Sequence, residues 1–158
     1  MGLRLIFSIT FIVFFTSMVF VANVWSQVEA DGTTVEVTNP WIKYNPMSGR
    51  ASAAYFDIKN VAILNMEIIG VLAPNDIHAM MHKTVEENGR MRMLSLKSVK
   101  VAMDESVVFA PRGKHIMLMN MPSDLKIGST LNLTIKLGHG ERLNVPFKVC
   151  PLTALQSC

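Results

Sequence analysis

Cysteine is nearly missing from this 158-residue chain: there are two, Cys150 and Cys158, both at the extreme C-terminus. A blue-copper electron-transfer centre needs a Cys thiolate beside two His and a weak axial ligand. Neither His nor Met follows Cys150 within reach, so that chemistry is set aside. An oxidising compartment would join the two thiols in a disulfide, and closing so short a loop restrains the unfolded chain by about 2–3 kcal/mol on the entropic account. The alternative is a thiol pair that binds or reduces a metal. Charge is also scarce: 15 Lys and Arg against 12 Asp and Glu leave +3, and no basic run is interleaved with aromatics. Nucleic acid is therefore not an expected partner. The hydrolase elbow G-x-S-x-G, the zinc-protease H-E-x-x-H and the phosphate-binding loop are all missing. Ser123 and Lys126 match S-x-x-K, but beside Pro122 and Asp124 they read as a turn. No enzyme is expected.

What is present begins with a leader. Leu5 to Ala22 carries no charge and Arg4 stands just ahead of it, the charged start and apolar run of a secretory signal. Val24 and Ser26 are small enough for cleavage after Ser26. The run is also long enough to reach across a bilayer, so an uncleaved anchor is the alternative, and only then would the mature domain contact a membrane. Residue 6 is Ile, which removes a Gly2 myristoylation signal, and no Cys follows the apolar run to carry a lipid. The expected organisation is a signal peptide over residues 1–26, one domain over 27–149 and a tail over 150–158. Loss of Arg4 lowers the basic count from 15 to 14, an excess of +2 in the mature chain.

The mature sequence reads as short extended runs between turns. Thr33–Thr38 alternates and ends at Asn39-Pro40. Ala51–Lys59, Met66–Leu72, Ile77–Thr84, Met91–Leu96, Val99–Met103, Ser106–Phe109 and His115–Asn120 follow. Glu87-Asn88-Gly89 and Pro111-Arg112-Gly113 are the clearest turns. Thr130–Leu137 and Arg142–Val149 flank Gly138-His139-Gly140-Glu141, a hairpin signal. Many strands at intervals of about 8–12 residues, without a long helical period, predict an all-β antiparallel sandwich or barrel.

Methionine is abundant and unevenly placed. Of 12 in the chain, Met80, Met81, Met91, Met93, Met103, Met117, Met119 and Met121 fall within residues 80–121, with His78, His82 and His115 in or beside the same window. Methionine as core filler would draw no histidine to the same segments. Because side chains alternate along a strand, His78, Met80 and His82 share a face, as do Met91 and Met93, and His115, Met117 and Met119. Each of three segments thus offers a row of soft or borderline donors. Thioether sulfur is a poor ligand for Ca²⁺ and Mg²⁺, and zinc prefers thiolate, imidazole and carboxylate. Copper(I) accepts thioether and imidazole together. The bland reading keeps Met103 at the core or a strand edge, Met121 packed under the loop before Pro122, and His139 as a surface or satisfied core residue of its turn.

The spacing is specific. Ten residues separate His82 from Met93, twenty-one separate Met93 from His115, and one separates His115 from Met117. This H-x10-M-x21-H-x-M pattern resembles the periplasmic copper chaperone family usually called PCu(A)C. His82-Lys83-Thr84-Val85 with Asn88-Gly89-Arg90-Met91-Arg92-Met93 is similar to its first metal-bearing hairpin, Phe109-Ala110-Pro111-Arg112-Gly113-Lys114-His115-Ile116-Met117-Leu118-Met119 to its second, and Asn39-Pro40-Trp41-Ile42 and Ala53–Asn60 to its opening strands. The resemblance covers roughly residues 33–149. It implies a cupredoxin-like β-sandwich in the periplasm, holding one Cu(I) per chain on His82, Met93, His115 and Met117. It also implies delivery of copper to the CuA domain of cytochrome c oxidase subunit II, alongside a Sco-type thioredoxin-like partner. Sequestration of copper for resistance would use the same site, and an exported interaction module without metal is the reading in which the methionines only pack. Arg112 stands where the family has a Gly, and the tail carries no His or Met.

Overall fold

The structure, a computed structural model, describes residues 34–47 and 49–158; the expected signal peptide and its cleavage site lie outside them. Among the described residues ten strands follow in order: β1 (Val35–Lys43), β2 (Ser52–Asn60), β3 (Met66–Leu72), β4 (His78–Glu87), β5 (Arg90–Ser95), β6 (Val99–Val101), β7 (Ser106–Phe109), β8 (Lys114–Met119), β9 (Thr130–Leu137) and β10 (Arg142–Cys150). The hydrogen-bonded order is β5-β4-β8-β7-β2-β1-β10-β9-β3-β6, with β8 also paired to β2. The layers close over one core in a β-sandwich: Phe56 of β2 stacks on Phe109 of β7 with centroids 4.4 Å apart and meets Phe147 of β10 edge-on at 5.7 Å. Ile58, Ile68, Ile116, Leu118, Leu133 and Ile135 fill the space around these rings. Their alternation with polar positions is why these segments fold as half-buried strands.

Most pairings are antiparallel, as the strand pattern leads one to expect. Two are parallel, β1 with β10 and β7 with β8. The second has a simple origin. β7 pairs antiparallel with the Phe56–Lys59 end of β2 and β8 with its Ser52–Ala54 end, so the two follow one path along β2. The turn Ala110-Pro111-Arg112-Gly113 interrupts that path, closed by Gly113 N–H donating to the Ala110 carbonyl at 2.9 Å. Proline sets the turn's direction, and Arg112 takes a left-handed φ of 65°.

β1 departs from its expected end at Asn39-Pro40 and runs on to Lys43. A register irregularity between Thr38 and Trp41 absorbs the proline, which has no N–H for the ladder, and Asn39 adopts a φ of 52°. A bulge is the place where a strand tolerates proline. The tail folds back on this end of the sheet. Cys150 and Cys158 are disulfide-bonded, so the free-thiol alternative does not hold. Trp41, Tyr55 and Cys150 form a small second cluster, with Ala154 of the tail packed against it.

Candidate metal centre

Two turns bring the donor rows together. Asn88 and Gly89 both have positive φ, 52° and 71°, which makes β4 and β5 a tight hairpin with the Asn-Gly turn such hairpins favour. The Ala110–Gly113 turn frees β8 to pair along β4. There His82 is opposite His115, Met80 opposite Met117, and His78 opposite Met119. On the other side of β4, Thr84 is opposite Met93, His82 opposite Ser95, and Glu86 opposite Met91. Met81, Ile116 and Leu118, the alternate residues, are buried in the core. The His/Met rows therefore share the outer face of the three strands β5, β4 and β8.

His82 is the hub of this face. Its ring lies 6.0 Å from that of His115, nearly parallel at 24°. Met117 stands two residues beyond His115, and Met93 two residues before Ser95, so both are diagonal cross-strand neighbours of His82. Diagonal neighbours lie about 7–8 Å apart, within reach of a long flexible side chain. Met93 and Met117 flank His82 from opposite sides and are not neighbours of each other. Met93 is 64% exposed and His115 only 6%, so the face grades from buried imidazole to exposed thioether.

The two histidine rings are held in different ways. His115 Nδ1–H donates to the Gly113 carbonyl at 3.1 Å, which leaves its Nε2 lone pair free. Such a bond from the second ring nitrogen is how ligating histidines are oriented. The same carbonyl accepts Thr84 N–H at 3.0 Å, tying the turn to β4. Burial, and secondarily the neighbouring His82, hold the His115 pKa below the ordinary histidine value, while the Gly113 bond opposes them. The neutral, metal-binding form is favoured. His82 has a buried Nδ1 with no hydrogen-bond partner. A buried polar atom left unpaired costs about 1–3 kcal/mol, and an ion bound by His82 would offset that. The donor set of imidazole and thioether fits a soft, singly charged ion; Glu86 is the one carboxylate on the face of these strands, at the far level beside Met91.

The remaining candidates divide clearly. Met81 belongs to the core, and Met121 packs against it. Met103 is exposed at a turn, which leaves it out of the core. His139 is remote from the centre, its Nε2 2.9 Å from Glu141 Oε2. Sequence reasoning did not reach the role of Gly113, whose contribution is a backbone carbonyl and leaves no side-chain signal.

Fold and face together define a small β-sandwich domain carrying a soft-donor His/Met cluster on one outer sheet surface. Solved PCuAC domains share this fold: the copper-bound PCuAC domain from PmoF2 aligns with a TM-score of 0.62 at 15% identity, covering 75% of this chain and 93% of that one. Apo-DR1885 from Deinococcus radiodurans aligns at 0.58 with 27% identity, covering 77% of this chain and 82% of that one. Its Cu(I) form aligns at 0.52 with 25% identity, over 77% and 83%. The LpqE-like lipoprotein family matches residues 35–149, and the chain belongs to that family. A curated relative, Lxx21020 of Leifsonia xyli subsp. xyli, which is named as a lipoprotein, is 29% identical over 114 residues. That match spans 72% of this chain and 66% of the relative's length.

Proposed function

We propose that this chain is an exported Cu(I) carrier that binds one ion tightly, through His82, His115, Met117 and Met93, and passes it on. The observation that carries the proposal is the register around His82. A direct neighbour, His115, and two diagonal neighbours, Met117 and Met93, are the residues that the family resemblance implies as ligands beside His82. An ion seated over His82 is within reach of all four. The likeness to DR1885, whose Cu(I) form has been solved, supports copper as the metal. The lipoprotein names of the family and of Lxx21020 support an envelope location, in the periplasm on this reading, with residues 1–26 as the export signal.

The role is carriage, not catalysis. An exposed thioether at one side of the ion leaves it open to an approaching acceptor. The acceptor in this proposal is the CuA domain of cytochrome c oxidase subunit II, with a Sco-type thioredoxin-like protein as co-worker. A chromophoric chelator competed against the full chain, in ascorbate to keep copper reduced, tests the binding. One tight equivalent is expected, weakened at least tenfold in His82→Ala and in His115→Ala. Unchanged affinity in both variants would remove the ligand assignment. Mixing the loaded chain with a soluble CuA domain then separates delivery from sequestration: a carrier loses its copper to the acceptor, and a sequestering protein keeps it.

A further inference from the structure

The donor face extends past His82, Met93, His115 and Met117. Three successive cross-strand pairs join β4 to β8: His82 with His115, Met80 with Met117, and His78 with Met119. All six side chains lie on the outer face, since Met81, Ile116 and Leu118 between them point to the core. The third pair sits at the end of the sheet beside a cavity of about 540 Å³ whose lining includes Ile77, His78, Met80 and Met119. His78 is exposed, Met119 half-buried and Met80 40% exposed. Successive rungs are about 7 Å apart along the strands, so the outermost lies about 14 Å from the His82–His115 rung. Two ions at that separation do not share ligands.

We infer that His78 and Met119, with Met80, form a second, weaker Cu(I) subsite at the outer end of this ladder, and that Met80 and Met117 link it to the tight centre. Directly opposed side chains have Cβ atoms about 4.5–5.5 Å apart, which suits an imidazole and a thioether converging on one small ion. A soft monovalent ion accepts this neutral set as it accepts the tight one. The outer subsite has one histidine where the tight centre has two, and its donors are more open to water. It therefore holds copper less firmly. An ion captured at the cavity has a middle rung of two thioethers between it and His82, a path of soft donors with no hard ligand to cross. This inference rests on the copper reading above.

The test is a Cu(I) titration of the full chain to excess, in ascorbate, with chelators of two strengths. The wild-type chain is expected to take up one tight and one weaker equivalent, the second at least tenfold weaker. The double variant His78→Asn/Met119→Leu, altered only on the outer face, should keep the tight equivalent and lose the weak one. His82→Ala/His115→Ala should lose the tight equivalent and keep the weak one. Redox-inert Ag(I), followed by methionine methyl resonances, gives a second readout: Met119 should shift only as the second equivalent is added. A wild-type chain that saturates at one equivalent overturns this inference alone. A second equivalent that survives His78→Asn/Met119→Leu also overturns it. A chain that binds no Cu(I) overturns the proposed function and this inference with it.

Discussion

Removing the tail disulfide should cost the domain a definite amount of stability. Cys150 and Cys158 are eight residues apart, and closing a loop of that size lowers the unfolded chain's entropy by about 8 cal/mol/K, or about 2.5 kcal/mol at 25 °C. For a domain of roughly 125 residues, the unfolding entropy near 60 °C is about 260 cal/mol/K, which converts the loss to about 10 °C in Tm. Cys158→Ser is the cleaner variant. Cys158 is exposed, whereas Cys150 is fully buried beside Trp41 and Tyr55 and as a free thiol still packs as a small apolar group. Scanning calorimetry of wild type, wild type with a phosphine reductant, and Cys158→Ser should give one high and two matching low transitions. A drop below about 3 °C, or a reduced wild type that melts like the oxidised one, would refute the reasoning. The tail would then be an appendage, held by its disulfide without constraining the fold.

Two further outcomes are expected. Acid should release copper. An imidazole binds a metal only when unprotonated, and burial holds the His115 pKa below the ordinary value of about 6.5. Its contribution is full above that pH, persists just beneath it, and disappears as pH falls through the lowered value; affinity that stays flat between pH 7.5 and 4.5 would contradict a histidine-bound ion. Arg112→Gly should stabilise the domain by about 0.5–1 kcal/mol, because Arg112 has a left-handed φ of 65° that glycine adopts freely. A fall in urea midpoint for that variant would show that the arginine side chain contributes more than its backbone costs.

Much of the fold was legible in the residues. Alternation and turn chemistry predicted Met66–Leu72, Ser106–Phe109 and Thr130–Leu137 with the bounds that β3, β7 and β9 have. Asn88-Gly89 and the Gly138–Glu141 segment turn as their composition requires. The end of β1 was not legible, because a bulge that carries Pro40 through a strand depends on its neighbour β2, and Asn39 donates to Asp57 there at 2.9 Å. The parallel path of β7 and β8 along β2 is likewise a long-range outcome.

The sequence by itself determined the donor types, their spacing and which of them share a strand face, because period-two alternation is a local property of extended backbone. Only the tertiary structure decided that His82 is the hub, since cross-strand register follows from the turns and core packing of three strands at once. It also decided that Met81 leaves the donor set for the core, that His139 pairs with Glu141 far from it, and that the Gly113 carbonyl orients His115. A side chain's chemistry is written in the residue, but its neighbours across a sheet are chosen by the whole chain.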